Sequence, residues 1–149
     1  MVRELQVQMH KPTPAEYKAA VDMTVGMAVV KDEATKTVKF ADADTSVNVF
    51  VVDKERIPSD ANTGRTIFSD YDEDFMTIKK GEFVKLHAYN KPERFAVDQV
   101  ADDIASASYV CAGADGKWKA SAEATKYIYC GEYNDAGHVL HTIEVGEVG

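Results

Sequence analysis

The sequence predicts a mainly β protein: an antiparallel β-sandwich or small β-barrel with one short helix near its N-terminus. Three observations predict this fold class. The chain has short apolar runs rich in β-branched residues, alternation of apolar and polar residues within several runs, and turn-forming residues between them. This spacing indicates about eight to eleven short strands. At 149 residues, the chain has the length of one domain with a sizeable core.

The pattern is clearest near the C-terminus, where two pairs of apolar runs are each separated by turn residues. Asp115-Gly116 lies between the first two runs, and Asp-Gly is a strong hairpin signal because glycine readily adopts positive φ. We therefore expect a four-stranded meander. Its strands are predicted at Tyr109–Gly113, Lys117–Ala120, Tyr127–Cys130 and Val139–Val145, with Asn134–Gly137 as the second turn.

The middle of the chain shows the same kind of pattern. Val47–Val52 is the most strand-like segment, and because both of its faces are apolar it is expected to be a central strand. Further strands are predicted at Val25–Val30, Thr37–Phe40, Phe75–Ile78, Glu82–Tyr89 and Arg94–Val100.

The N-terminal residues predict a short helix preceded by an arm. Thr13, Pro14 and Glu16 form a capping-box pattern that favours a helix over residues 14–21. We expect residues 1–12 to be an extended arm and residues 13–149 to be a single β-rich domain.

Leu5, Val7 and Met9 form one apolar row in this arm, and Pro12 and Pro14 separate the row from the domain. An isolated strand is unstable in water, so the row needs a sheet edge or groove. That edge belongs either to a partner, which would order the arm on binding, or to the protein's own domain.

Composition excludes some partners. The formal net charge is −8 and the pI is near 4.9, so phosphate backbones repel the chain and nucleic-acid binding is disfavoured. The sequence has no apolar run long enough for a signal peptide or a membrane span, and we expect synthesis in a cytoplasm.

The acidic segment Asp70, Asp72 and Asp74 has the spacing of a calcium loop. The helix–loop–helix version also requires Gly and Glu where this chain has Phe75 and Gly81, so a solvated loop is favoured. The surrounding residues 53–74 have no clear periodicity. A loop of this length is often functional, and we expect it to contact a neighbouring subunit.

The search for catalytic and metal-binding patterns gives a negative result. His138 and His141 point to opposite faces of one predicted strand, and His141 is expected to be a hydrogen-bonded core or edge residue. Cys111 and Cys130 lack a C-x-x-C pattern and are expected to be reduced structural thiols. There is no G-x-S-x-G motif or phosphate-binding glycine loop, so the sequence predicts neither an enzyme nor a cofactor.

The C-terminal aromatic residues allow two interpretations. Trp118, Tyr127, Tyr129 and Tyr133 would form a sugar-stacking platform if a coplanar pair were exposed. Aromatic residues on strands more often pack against each other across the sheet, and this second interpretation is favoured.

The order of several stretches over residues 25–145 resembles the decoration proteins, also called cement or auxiliary head proteins, of tailed bacteriophages. The stretches are Gly26–Val30, Val49–Asp53, Ile78–Val84, Arg94–Gln99, Gly113–Trp118 and Leu140–Val145. The resemblance implies a cofactor-free, β-rich virion protein that binds the major capsid protein on the capsid exterior, often as a homo-oligomer. It supplies no catalytic residues.

On this interpretation, Leu5, Val7, Met9, Pro12 and Pro14 are the predicted capsid contacts, because an extended arm can add a strand to a neighbour's sheet. Two alternatives stay open: another phage structural component, such as a tail-tube or head-fibre protein, and a carbohydrate-binding β-sandwich module.

Overall fold

A computed structural model shows that the chain is built mainly of β strands. It describes residues 1–7, 16–54, 71 and 73–147, apart from the side chain of residue 74. No helix of seven or more residues occurs in these ranges. The prediction of a mainly β protein with antiparallel sheets is confirmed.

The described ranges contain thirteen strands. They are β1 (Val2–Gln6), β2 (Lys18–Ala19), β3 (Met23–Thr24), β4 (Ala28–Asp32), β5 (Thr37–Lys39), β6 (Phe50–Asp53), β7 (Thr77–Ile78), β8 (Lys85–His87), β9 (Arg94–Val97), β10 (Tyr109–Ala112), β11 (Trp118–Ser121), β12 (Tyr127–Asp135) and β13 (His138–Val145). One helical turn, α1 (Glu73–Met76), precedes β7, and a 3-10 helix covers Ile104–Ser106.

The strands form two principal sheets and one small sheet. The six-stranded sheet has the order β1-β9-β13-β12-β10-β11, and the five-stranded sheet has the order β2-β5-β4-β6-β8. The small sheet pairs β3 with β7. The strands pair antiparallel except β2 and β5, which are parallel. β6 lies between β4 and β8, which confirms the prediction of a central strand for residues 50–52. Residues 47–49, which were also predicted to belong to it, precede the strand.

One hydrophobic core takes side chains from both principal sheets. Val29 and Val52 come from the five-stranded sheet, and Phe95 and Trp118 come from the six-stranded sheet. Trp118 is fully buried, and its indole N–H donates a 3.2 Å hydrogen bond to the carbonyl oxygen of Gly26. The buried indole therefore has the polar partner that it requires.

The helix predicted over residues 14–21 is wrong in its described part. Residues 18–19 form β2, and the residues on either side of it are not helical. The amide of Ala19 donates to the carbonyl of Glu82 at 2.9 Å, and the amide of Ala20 donates to the carbonyl of Val38 at 3.0 Å. These distant partners outweigh the local capping pattern. Thr13 and Pro14 lie outside the described ranges.

Residues 2–6 form β1 within the six-stranded sheet instead of a detached arm. β1 pairs antiparallel with β9, and Met1 and Val2 are buried. The edge that accepts this strand therefore belongs to its own domain, which was the competing interpretation. The physical reason is burial: apolar side chains at the start of the chain enter the domain's own hydrophobic clusters.

The four predicted C-terminal strands are present, but they do not form a meander. β10 pairs with β11 and also with β12, so β12 is not next to β11. Gln99 accepts a hydrogen bond from the amide of Trp118, and the amide of Ala101 donates to the carbonyl of Trp118. Residues 99–101 thus lie along the edge of β11 that faces away from β10. In a meander, β12 would occupy this edge.

Candidate functional site

The histidines and cysteines singled out in the sequence do not come together. Nδ1 of His141 and the Tyr129 hydroxyl form a 3.0 Å hydrogen bond, which confirms the prediction that His141 is hydrogen-bonded. Cys111 is buried, Cys130 is exposed, and both are free thiols. Only the first is therefore the buried structural thiol that was expected. Within the described ranges, no group of three or more metal-ligating side chains is placed to hold an ion.

The long loop predicted at 53–74 lies mostly outside the described ranges. This applies to Asp70 and Asp72 and to the side chain of Asp74, so the calcium-like spacing and the expected subunit contact stay predictions. In the part of the chain that is described, no helix has the length and apolar character needed to cross a membrane.

The C-terminal aromatic residues form packing pairs, as the second interpretation expected. Trp118 and Tyr127 are buried and meet edge to face, with ring centroids 5.0 Å apart and an angle of 72° between the ring planes. Burial raises the pKa of Tyr127 to about 12. These two rings cannot be the exposed coplanar pair that a sugar-binding platform requires.

A polar cluster that the sequence did not reveal joins the two principal sheets. The ring of His87 on β8 lies with Nε2 2.8 Å from Asp53 of β6 and Nδ1 3.5 Å from Glu4 of β1. The Tyr89 hydroxyl donates to the same Glu4 carboxylate at 3.2 Å. Because both imidazole nitrogens already face carboxylates, the arrangement suits a structural link and leaves no ring nitrogen directed at a substrate.

The hairpin of β12 and β13 reaches beyond its neighbouring strands, because the pairing with β9 ends at His141 and the pairing with β10 ends at Ile128. We call residues 132–141 the outer ribbon, and residues 127–129 with 142–145 the inner ribbon. Asp135, near the tip of the outer ribbon, accepts 2.8 Å hydrogen bonds from Arg3 Nε and from the Tyr71 hydroxyl. His138 stacks on the Tyr71 ring with centroids 3.6 Å apart.

This contact cluster has a clear electrostatic effect. The hydrogen bond from Arg3, followed by the one from Tyr71, holds the pKa of Asp135 below its usual value. Burial and the Asp135 hydrogen bond raise the pKa of Tyr71. The charged carboxylate of Asp135 and the neutral phenol of Tyr71 are therefore the stable forms at neutral pH. Their hydrogen bonds connect the outer ribbon to Arg3 of β1 and to Tyr71.

An open groove of about 740 Å³ lies beside β4 and the chain leading to β6. Its apolar lining includes Val30, Ala41 and Phe50, and Val47 is 67% exposed at the same site. Its carboxylates have lysine partners: Glu33 with Lys36 at 3.0 Å, Asp42 with Lys39 at 3.6 Å, and Asp44 with Lys119 at 2.9 Å. A partly apolar groove with balanced charges suits contact with a protein surface better than capture of a small ion.

A second exposed apolar side chain occurs on the turn after β7. Phe83 is 55% exposed, and the Lys18 ammonium lies 5.0 Å from the centroid of its ring. This cation–π contact covers part of the ring and leaves the rest available to a partner.

The predicted capsid contacts are divided between the domain and the undescribed residues. Leu5 packs against the cluster of Met1, Ala96 and Leu140, and Val7 packs against the main core. Both side chains are half-buried in their own domain. Met9, Pro12 and Pro14 lie outside the described residues.

Comparisons with protein-family models, curated proteins and solved structures gave no match to this chain.

Proposed function

We propose that the protein is a non-enzymatic structural protein of a tailed-phage virion. It binds the outer surface of the assembled capsid, contacts the major capsid protein and stabilises the lattice. The observation that carries this proposal is the ordered resemblance to decoration proteins over residues 25–145. Its stretches fall on strands and turns that build one core.

The contribution of these stretches to the fold supports the proposal. Gly26–Val30 leads into β4, Val49–Asp53 contains β6, and Arg94–Gln99 contains β9. The remaining stretches are the turn at Ile78–Val84, the hairpin turn at Gly113–Trp118 and most of β13 at Leu140–Val145. The stretches on which the resemblance rests are therefore strands and turns of the fold.

The arrangement of the core favours a β-sandwich over a barrel. Both principal sheets contribute side chains to one hydrophobic cluster, and each sheet ends in a separate edge strand.

The groove beside Val47 is the proposed contact with the capsid. Leu5 and Val7 are already packed within the domain, whereas Val47 and Phe50 offer apolar surface at an open groove. A contact of this size is modest for one copy. On a symmetric lattice the same contact is repeated many times, so stabilisation of the shell does not require high affinity at each site.

The charge of the protein fits a position on the capsid exterior. With a formal net charge of −8, the protein is repelled by DNA and does not compete with the packaged genome for capsid surface.

Co-sedimentation with phage heads tests the proposal. Purified protein should pellet with expanded, DNA-filled heads of the phage that encodes it and remain in the supernatant with unexpanded shells. A Val47→Asp variant should bind expanded heads at least about tenfold more weakly, because a charge would be buried at the contact. Val139→Asp, which changes a similarly exposed valine on β13, is the matched control and should bind normally.

Other results would contradict the proposal. Equal binding to both kinds of head, or to neither, would exclude a decoration role. Assembly of the pure protein into rings or filaments would instead favour a tail-tube or head-fibre component.

A further inference from the structure

The outer ribbon has an open strand edge on β12. β10 pairs with β12 at Tyr109 and Ile128. The last backbone hydrogen bond between these two segments runs from the amide of Tyr129 to the carbonyl of Ser108. Beyond this point, residues 132–135 pair with β13 on one side. On the other side, no strand of the described part of the chain pairs with them.

The turn at the ribbon tip determines which backbone groups point out from this edge. Ala136 and Gly137 have φ values of 51° and 94°, as in a type I′ turn, and Asp135 pairs with His138. The pair that closes such a turn exchanges both hydrogen bonds, and the pattern alternates along an antiparallel ladder. Tyr133 therefore also bonds inward to β13, while the N–H and C=O groups of Glu132 and Asn134 point outward.

We propose that this edge pairs with the same edge of a second copy of the chain, forming a two-fold dimer centred on Tyr133. In this register Glu132 of each copy lies opposite Asn134 of the other, and each pair exchanges backbone hydrogen bonds. The two Tyr133 side chains meet at the non-hydrogen-bonded position, where side chains lie closest together. Each copy presents the same patch, as two-fold symmetry requires.

The charges select this register over the neighbouring ones. Centring the pair on Glu132 would place two like charges directly opposite each other, which is unfavourable. Centring it on Asn134 would align Glu132 with Ala136, which lies in the turn. Centring it on Tyr133 lets both outward-facing residues, Glu132 and Asn134, form backbone hydrogen bonds with the second copy. Asp135 then lies opposite Gly131, and no two carboxylates lie directly opposite each other.

The exposure of the Tyr133 side chain is consistent with contact to a second copy of the chain. Tyr133 is a large aromatic residue, and 38% of it is exposed on the edge of β12 that has no neighbouring strand in the described part of the chain. Because the paired segment is short, we expect the buried area to be below the roughly 1,200 Å² of a stable interface and the dimer to be weak. The dimer does not depend on the proposed capsid role, although attachment to a lattice would strengthen it.

Disulfide trapping tests the register. Tyr133→Cys would be made in a Cys130→Ser background, and Val139→Cys in the same background is the control on the partner strand. Cα atoms at a non-hydrogen-bonded pair lie about 4.5 Å apart, within the range that a disulfide spans. With oxidised glutathione, the Tyr133→Cys protein should form covalent dimers at least about tenfold faster than the control. Equal rates would overturn the proposal.

Sedimentation velocity tests the same contact without a cross-link. The average mass of the wild-type protein should rise with concentration, Tyr133→Glu should remain monomeric, and Val139→Glu should behave like the wild type. A dimer that survives Tyr133→Glu would overturn the proposed register. Normal binding of the monomeric variant to phage heads would leave the capsid proposal intact, so the two proposals can fail separately.

Discussion

The inner and outer ribbons belong to the same two strands but differ in what surrounds them. The inner ribbon has β9 on one side and β10 on the other, and its residues Tyr127, Ile143 and Val145 are buried. The outer ribbon has mostly exposed residues and is fastened by Leu140 and by the contacts of Asp135. Both halves are paired as one hairpin, and their difference in burial determines how much each half stabilises the fold.

The largest expected difference between the halves comes from truncating one side chain in each. Ile143→Ala should lower the free energy of unfolding by about 2–5 kcal/mol, because it leaves a cavity in the core. Val139→Ala, on the same strand but 51% exposed, should change it by less than about 0.5 kcal/mol. Urea unfolding measures both values, and similar losses would show that the outer ribbon carries as much stability as the inner.

A smaller effect is expected where the outer ribbon is fastened to the body. Asp135→Asn should destabilise the protein by about 1 kcal/mol at pH 7, because it removes the charged acceptor of Arg3 and Tyr71. The folded-state pKa of Asp135 is lowered, so its stabilisation is complete above the unfolded value of about 3.9 and is lost as the pH falls through the folded-state value.

The difference in unfolding free energy between the wild type and this variant should therefore shrink in acid. Glu132→Gln, a carboxylate change on the exposed side of the same strand, is the control and should show little effect at either pH. A difference for Asp135→Asn that is constant from pH 7 to pH 3 would contradict the assigned role.

Changing the turn at the ribbon tip should strengthen the outer ribbon slightly. Ala136 has a φ of 51°, which is unfavourable for alanine and tolerated by asparagine. Ala136→Asn should raise the free energy of unfolding by about 0.5–1 kcal/mol. Ala136→Val should lower it, because a β-branched residue is more strained at this φ. Thermal melting distinguishes the two, and a shift in the same direction for both would contradict the turn assignment.

The smallest effect is expected at the junction of the two ribbons. Cys130 is exposed there, so Cys130→Ser should change stability by less than about 0.5 kcal/mol. The native thiol should be accessible to a thiol reagent, although partial burial raises its pKa and slows the reaction. Cys111 is buried, and burial raises the pKa of its thiol. It should react only when the protein unfolds, and rapid labelling of both thiols in the native protein would contradict the structure.

Local patterns predicted most of the strands and turns but not all of their partners. The strand predicted over Phe75–Ile78 is wrong in its first half, because α1 extends to Met76 and β7 begins at Thr77. Gly116 and Gly137 marked their turns in the sequence because glycine adopts positive φ more readily than other residues. The helix signal at Thr13 failed because the backbone of Ala19 and Ala20 bonds to residues far away in the chain. The position of β12 beside β10 likewise depends on residues 99–101, which bond to the other edge of β11. A pattern read from a few consecutive residues does not include such a distant segment.

The candidate sites were harder to predict than the fold. Asp53 and His87 are separated by 34 positions in the chain, and Glu4 joins them only because β1 and β8 lie at adjoining edges. The sequence had placed Leu5 and Val7 in one apolar row but could not show that their own domain covers the row. Exposure of Val47 and Tyr133 also depends on tertiary packing and has no sequence signal of its own.

The irregularity at Gly131 limits the length of the open edge on β12. Its φ is 97°, and the register between β12 and β13 shifts between Tyr129 and Glu132. This bulge interrupts the strand, so the open edge is only a few residues long before the turn at Ala136 ends it. A long, flat edge would be a template on which chain after chain could add without end, as in a fibril. In the proposed dimer the short edge is fully paired by a second copy, so growth through this edge would end at two molecules.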